Sequence, residues 1–107
     1  MIIMHSLFDL DAACSDTKFQ MSIDNFSRHL MEKNLLVSSR FMKRQAHPGY
    51  NADAPSAPYY LAMEFTDMEQ AEICWTYIES DEEPVKTLHN AVTSCVRDSS
   101  FFLCRDV

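Results

Sequence analysis

Residues 59–66 constrain this chain more than any other segment. They alternate with the period of two that places side chains on opposite faces of a β-strand: Tyr59, Leu61, Met63 and Phe65 on one side, Tyr60, Ala62, Glu64 and Thr66 on the other. Both sets carry large apolar groups. Residues 2–8 repeat the situation, with Ile2, Met4, Ser6 and Phe8 alternating with Ile3, His5 and Leu7. Neither set is mainly charged, which is the pattern of a central strand covered on both sides. The chain's own helices can cover one face of such a sheet. The other face needs a separate cover, and a second copy of the chain is the simplest one.

Helical periodicity supplies the inner cover. Phe19, Ile23, Phe26 and Leu30 recur at spacings of four, three and four between residues 15 and 34, with Asp16 or Ser22 as the expected N-cap. Residues 36–47 alternate again, but Arg40, Lys43 and Arg44 make them an edge strand guarded by charge. Residues 47–58 hold three of the four prolines and the only glycine, so they form a long loop of the kind that serves as an arm or lid. Asp67 with Gln70 caps a second helix whose buried stripe is Ala71, Cys74, Trp75 and Ile78. An acidic run over 79–83 leads into Pro84 at the first position of a third helix, striped by Val85, Leu88, Val92 and Cys95. Residues 101–104 give the last strand.

A chain of 107 residues is the size of one domain, 1–107, able to bury a core without a metal or disulfide staple. Its net charge of −7 disfavours nucleic acid and an anionic membrane surface as partners. No apolar run approaches the ~20 residues of a membrane span, and the N-terminal segment lacks the flanks of a signal peptide. A cytoplasmic setting is therefore expected. The four cysteines show neither C-x-x-C nor zinc-finger spacing, and are expected as reduced thiols. No metal site and no cofactor is implied. A phosphate-cradling glycine loop is impossible with one glycine, and no G-x-S-x-G or H-E-x-x-H motif is present.

The order β-α-β-β-α-(α)-β is an α+β arrangement, the ferredoxin-like split β-α-β, with a four-stranded antiparallel sheet and helices on one face. Together with the apolar second face, the His-containing strand from residue 2, the Phe65-Thr66-Asp67 strand-to-helix passage and His89 after a helix break, it resembles the dimeric α/β-barrel superfamily. The similarity is to its stress-responsive and antibiotic-biosynthesis-monooxygenase-like branches. The resemblance implies a homodimer whose sheets meet face to face and a pocket between sheet and helices in each subunit. It also implies functions ranging from cofactor-free oxidation of polycyclic phenols through haem and chlorite chemistry to members without known activity.

Candidate chemistry rests on few residues. His5 and His89 are the imidazoles able to act as a general base near neutral pH, although a histidine like His5 is more often simply a satisfied interior residue and His89 can equally sit at the boundary of the core. Arg40 and Arg44 share a strand face and could fork onto a carboxylate or enolate, or pair with Asp106 or with Glu64, the one charge inside its strand. Tyr60 and Trp75 are candidate aromatic contacts. Phe19, Ile23, Phe26, Leu61 and Met63 are the expected pocket walls, with His5 or His89 as the polar point. Three readings stay open. The chain could bind an apolar or aromatic small molecule, fatty-acid-like ones included, it could be a cofactor-independent monooxygenase or isomerase, or it could be a structural dimer whose pocket its own side chains fill.

Overall fold

The computed structural model describes residues 1–50 and 57–107. The centre of the 47–58 loop, read above as an arm or lid, lies outside the described residues. The elements are β1 (Ile2–Leu10), α1 (Asp16–Glu32), β2 (Ser38–Lys43), β3 (Tyr59–Phe65), α2 (Met68–Ile78), α3 (Val85–Thr93) and β4 (Val96–Arg105). The strands pair in the order β2-β3-β1-β4, antiparallel throughout. The two strands with doubled apolar character are thus the central pair, and the Arg- and Lys-bearing β2 is an edge, as its charge requires. This is the ferredoxin-like α+β fold. No helix among the described residues is long and apolar enough to cross a membrane.

The pleat divides the central strands cleanly. Tyr59, Leu61, Met63 and Phe65 are buried under the helices, with Phe8 and the α1 stripe Phe19, Ile23, Phe26 and Leu30. Phe19 stands edge-on to Phe41 of β2 at 4.9 Å and lies 5.3 Å from Phe8, so one aromatic cluster joins α1 to the sheet. Tyr59 donates its hydroxyl to Asp16, which pushes the phenol up to about 12 and holds the Asp16 carboxyl below its usual range. Ser39 donates to the buried Ser27 at 2.6 Å, a second tie between α1 and β2.

Several local expectations need correction. The N-cap of α1 is neither Asp16 nor Ser22 but Ser15, whose Oγ accepts the Lys18 N–H at 3.1 Å. Pro84 is the N-cap of α3 rather than its first helical residue. β4 begins five residues before Phe101, because β1 runs on to Leu10 and pairs through an irregularity at Leu7/Asp9 as far as Leu10 with Val96. The Asp67 cap holds as read: its carboxylate accepts the Gln70 N–H at 2.8 Å, and Gln70 accepts the Thr66 N–H at 2.6 Å.

The expectation of four reduced thiols is overturned by a disulfide between Cys14 and Cys95, whose Cα atoms lie 5.7 Å apart. The fold brings them together although 81 positions separate them in sequence. Residue 14 follows β1 and residue 95 precedes its neighbour β4, and the Asp11 N–H donates to the Cys95 carbonyl at 2.8 Å. An ion pair between Arg97 and Asp11 at 2.7 Å closes the same corner. Cys74 is a buried free thiol, pushed up to about 11 by that burial, and Cys104 is free and exposed.

Candidate functional site

A cavity of about 380 Å³ lies between the inner face of the sheet and the three helices. That is within the range of small-molecule sites. Its walls are apolar. Phe19, Ile23 and Phe26 of α1 face Leu61 and Met63 of β3, and Trp75 of α2 contributes a further aromatic side chain. All six were expected there from their periodicity. Each helix reaches the cavity because its apolar stripe is also its core stripe, so the wall and the hydrophobic core are one continuous set of residues.

Polar groups at the cavity are few. Ser6 of β1 is only 3% exposed, and its Oγ has no hydrogen-bond partner among the described residues. His89 of α3 lines the cavity half-buried, 5.5 Å from the Phe26 ring between centroids. Burial holds its imidazole below the usual range, against a smaller upward pull from the Glu79 carboxylate. Around neutral pH the ring is therefore uncharged, with one nitrogen free to accept a proton or a hydrogen bond. Glu79, Thr93 and Ser99 are exposed and form the polar part of the rim. Ser6 and Glu79 were not singled out from the sequence. For Ser6 the signal existed: it shares a pleat with Met4 and Phe8, and a lone small hydroxyl in an otherwise apolar inner row invites the question of its partner.

The other candidates lie on the opposite face. His5, Tyr60 and Glu64 belong to the outer pleats of β1 and β3; of the two histidines expected as the polar point, His89 lines the cavity and His5 does not. His5 and Tyr60 are hydrogen-bonded through Nδ1 and the hydroxyl, and His5 stacks on Phe102 of β4 at 4.7 Å with the rings 9° from parallel. Arg40 sits beside Ala62 on β2, and Arg44 follows the end of that strand, its Nη1 donating to the Ala57 carbonyl at 3.4 Å. None of these five residues lines the cavity. Arg40 and Glu64 form no ion pair among the described residues, the four pairs there being elsewhere. The outer face also carries Ile3, Leu7, Ala62 and Met42, with Phe102 46% exposed. His29, on α1, shares a 2.7 Å hydrogen bond with the Tyr77 hydroxyl of α2 and serves as a helix tie. Among the described residues no three of His, Cys, Asp and Glu converge as a metal ligand set.

Fold and site together define a ferredoxin-like α+β protein with a cavity under its helices and an apolar, uncovered sheet face. The chain belongs to the family of unknown function DUF6614, matched over residues 1–107. No curated protein matches it. Among solved structures it is similar to At3g17210 from Arabidopsis thaliana, at 6% identity and a TM-score of 0.75, over 100% of this chain and 96% of that one. It is also similar to SnoaB, a cofactor-independent oxygenase from Streptomyces nogalater, at 8% identity and a TM-score of 0.69, over 99% and 92%. A third is a dimeric ferredoxin-like protein of unknown function from Jannaschia sp. CCS1, at 10% identity and a TM-score of 0.66, over 99% and 100%. What these chains share with this one is the fold.

Proposed function

We propose that the protein is a homodimer in which each subunit binds an apolar or aromatic small molecule in the cavity between sheet and helices. The observation that carries this reading is the cavity itself: about 380 Å³ of space with an apolar wall that the chain's own side chains leave unfilled. That space weighs against a purely structural dimer with a packed pocket. Phe19, Ile23, Phe26, Leu61, Met63 and Trp75 supply the contact area, and His89 the polar anchor. The dimer reading rests on the outer pleat, where Ile3, Leu7, Ala62, Met42 and Phe102 form an apolar surface. It is further supported by a similar fold described as dimeric. On this reading His5, Tyr60, Arg40 and Glu64 serve the subunit contact rather than the ligand.

A second reading, a cofactor-independent oxygenase or isomerase, is favoured by one feature. His89 offers a neutral imidazole at an apolar cavity, the condition under which a base removes a proton from a bound phenol or carbonyl compound. The similarity to SnoaB is compatible with it. Native mass spectrometry of the purified protein tests assembly and binding together. The expected result is twice the 12.4 kDa chain mass, with retained or added ligand at one per subunit. A monomer at micromolar concentration would sink the dimer. An unshifted melting temperature across both aliphatic and polycyclic phenolic compounds would sink the binding site.

A further inference from the structure

We propose that the cavity selects an uncharged ligand carrying a hydroxyl or carbonyl group, which meets Ser6, and rejects the carboxylate of the same skeleton. The inference rests on the binding reading above and goes beyond it by naming the ligand's polar chemistry.

Ser6 carries the first half. Its inner-pleat neighbours along β1 are Met4 and Phe8, and across the sheet it faces Leu61 on one side and Phe101 on the other, all of them cavity residues. Ser6 is 3% exposed, and its hydroxyl, the polar atom of an otherwise apolar patch, is closed to solvent and has no protein partner among the described residues, so a ligand meets it once the serine side chain turns towards the cavity. A buried hydroxyl left unpaired is costly, and a hydroxyl both donates and accepts. A ligand oxygen reaching it can therefore be an alcohol, a phenol, an aldehyde or a ketone.

Charge carries the second half. Among the described residues the cavity lining includes no Lys or Arg; its ionisable members are Glu79 and His89. Arg40 and Arg44, the guanidiniums the sequence offers for a carboxylate, do not line it. A carboxylate brought into this space would lose water with no cation to replace it, and would meet the negative Glu79 at the rim. The His89 imidazole, kept uncharged by its burial, does not compensate. A fatty acid ionised at its head group is thus the poor fit, and the corresponding alcohol or aldehyde the good one.

The test compares matched pairs at pH 7.5 by isothermal titration calorimetry: 1-decanol with decanoate, and 2-naphthol with 2-naphthoate. The expected result is that the neutral member of at least one pair binds tenfold or more tighter than its acid. Ser6→Ala should then weaken the neutral ligand by roughly five- to a hundredfold, the range of a hydrogen bond to a buried group. Glu79→Gln, a change on the exposed rim that leaves the core intact, should tighten the acid a few-fold and narrow the gap. A carboxylate binding as tightly as its neutral partner overturns the charge selection while leaving the binding site standing. Unchanged affinity of the neutral ligand in Ser6→Ala overturns the assignment of Ser6. Binding of none of the four overturns both this inference and the binding reading.

Discussion

If the space under the helices is open in solution, two truncations on one helix stripe should differ in cost. Ile23 and Leu30 both lie on the buried face of α1, 1% and 0% exposed, but Ile23 borders the cavity and Leu30 does not. Each change to alanine removes the same number of carbons, a transfer loss of about 2.4 kcal/mol at ~0.8 kcal/mol per methylene. What separates them is the void left behind. Leu30→Ala opens a new hole in a fully packed region, and a residual void of about 50 Å³ adds ~1.2 kcal/mol at ~24 cal/mol per Å³, giving roughly 4 kcal/mol. Ile23 already has empty space on one side, so fewer neighbouring atoms lose contact when it is truncated, and its cost stays near about 2.5 kcal/mol. Urea denaturation at equal protomer concentration, without ligand and with m compared between variants, reads the difference directly. An Ile23→Ala variant as costly as Leu30→Ala, or more so, would mean that Ile23 is tightly packed on all sides, and the open-cavity argument would fall.

Three further outcomes are expected. Ala62→Asp places a carboxylate in the middle of the outer face, beside His5 and Arg40, and should shift light-scattering mass from dimer towards monomer; an unaltered dimer would locate the subunit contact elsewhere. Because burial lowers the folded-state pKa of His89 beneath its unfolded value, the unfolded chain binds the extra proton first. Its contribution to stability is present above the unfolded value near 6.5 and is lost as pH falls through the folded one, so His89→Gln should flatten the stability-pH curve on the acid side of 6.5, and an unchanged curve would refute it. Reducing Cys14–Cys95 frees a loop spanning 81 positions, for which chain entropy predicts a loss of about 4.5 kcal/mol as an upper figure; dithiothreitol should lower the melting temperature of the native protein and leave Cys14→Ser unaffected.

The architecture was legible in the sequence because burial leaves periodic traces. A period of two in residues 2–8 and 59–66, and of 3.6 in the α1 stripe, state which side chains face inward before any coordinate is known. The walls of the cavity were legible for the same reason. Its polar groups were legible only in part. Ser6 is short and uncharged, and nothing in its neighbours along the chain says that its cross-strand partners are Leu61 and Phe101. His5 and His89 looked equivalent as isolated imidazoles among apolar residues; the pleat puts one outside and the helix turn puts the other within. The disulfide was hidden because residues 14 and 95 meet only through the pairing of β1 with β4. The early start of β4 was hidden because Arg97, Asp98, Ser99 and Ser100 carry no apolar alternation, and the pairing of β1 with β4 makes them part of the strand.

The two faces of this sheet impose different rules on what similar folds can share. Identities of 6 to 10% with TM-scores of 0.66 to 0.75 mean that strand order and helix placement survive almost complete replacement of side chains. Apolar rows can be exchanged residue for residue as long as volume and period hold, so the inner wall and the outer apolar face constrain the sequence only loosely. Polar atoms in such a cavity have no such freedom, since each must be paired by the protein, by water or by a ligand. The chemistry of one member of the fold is therefore not transferable to another through the backbone. In this chain the polar groups at the cavity are a buried serine, a half-buried histidine and a rim glutamate, with no Lys or Arg in the described lining.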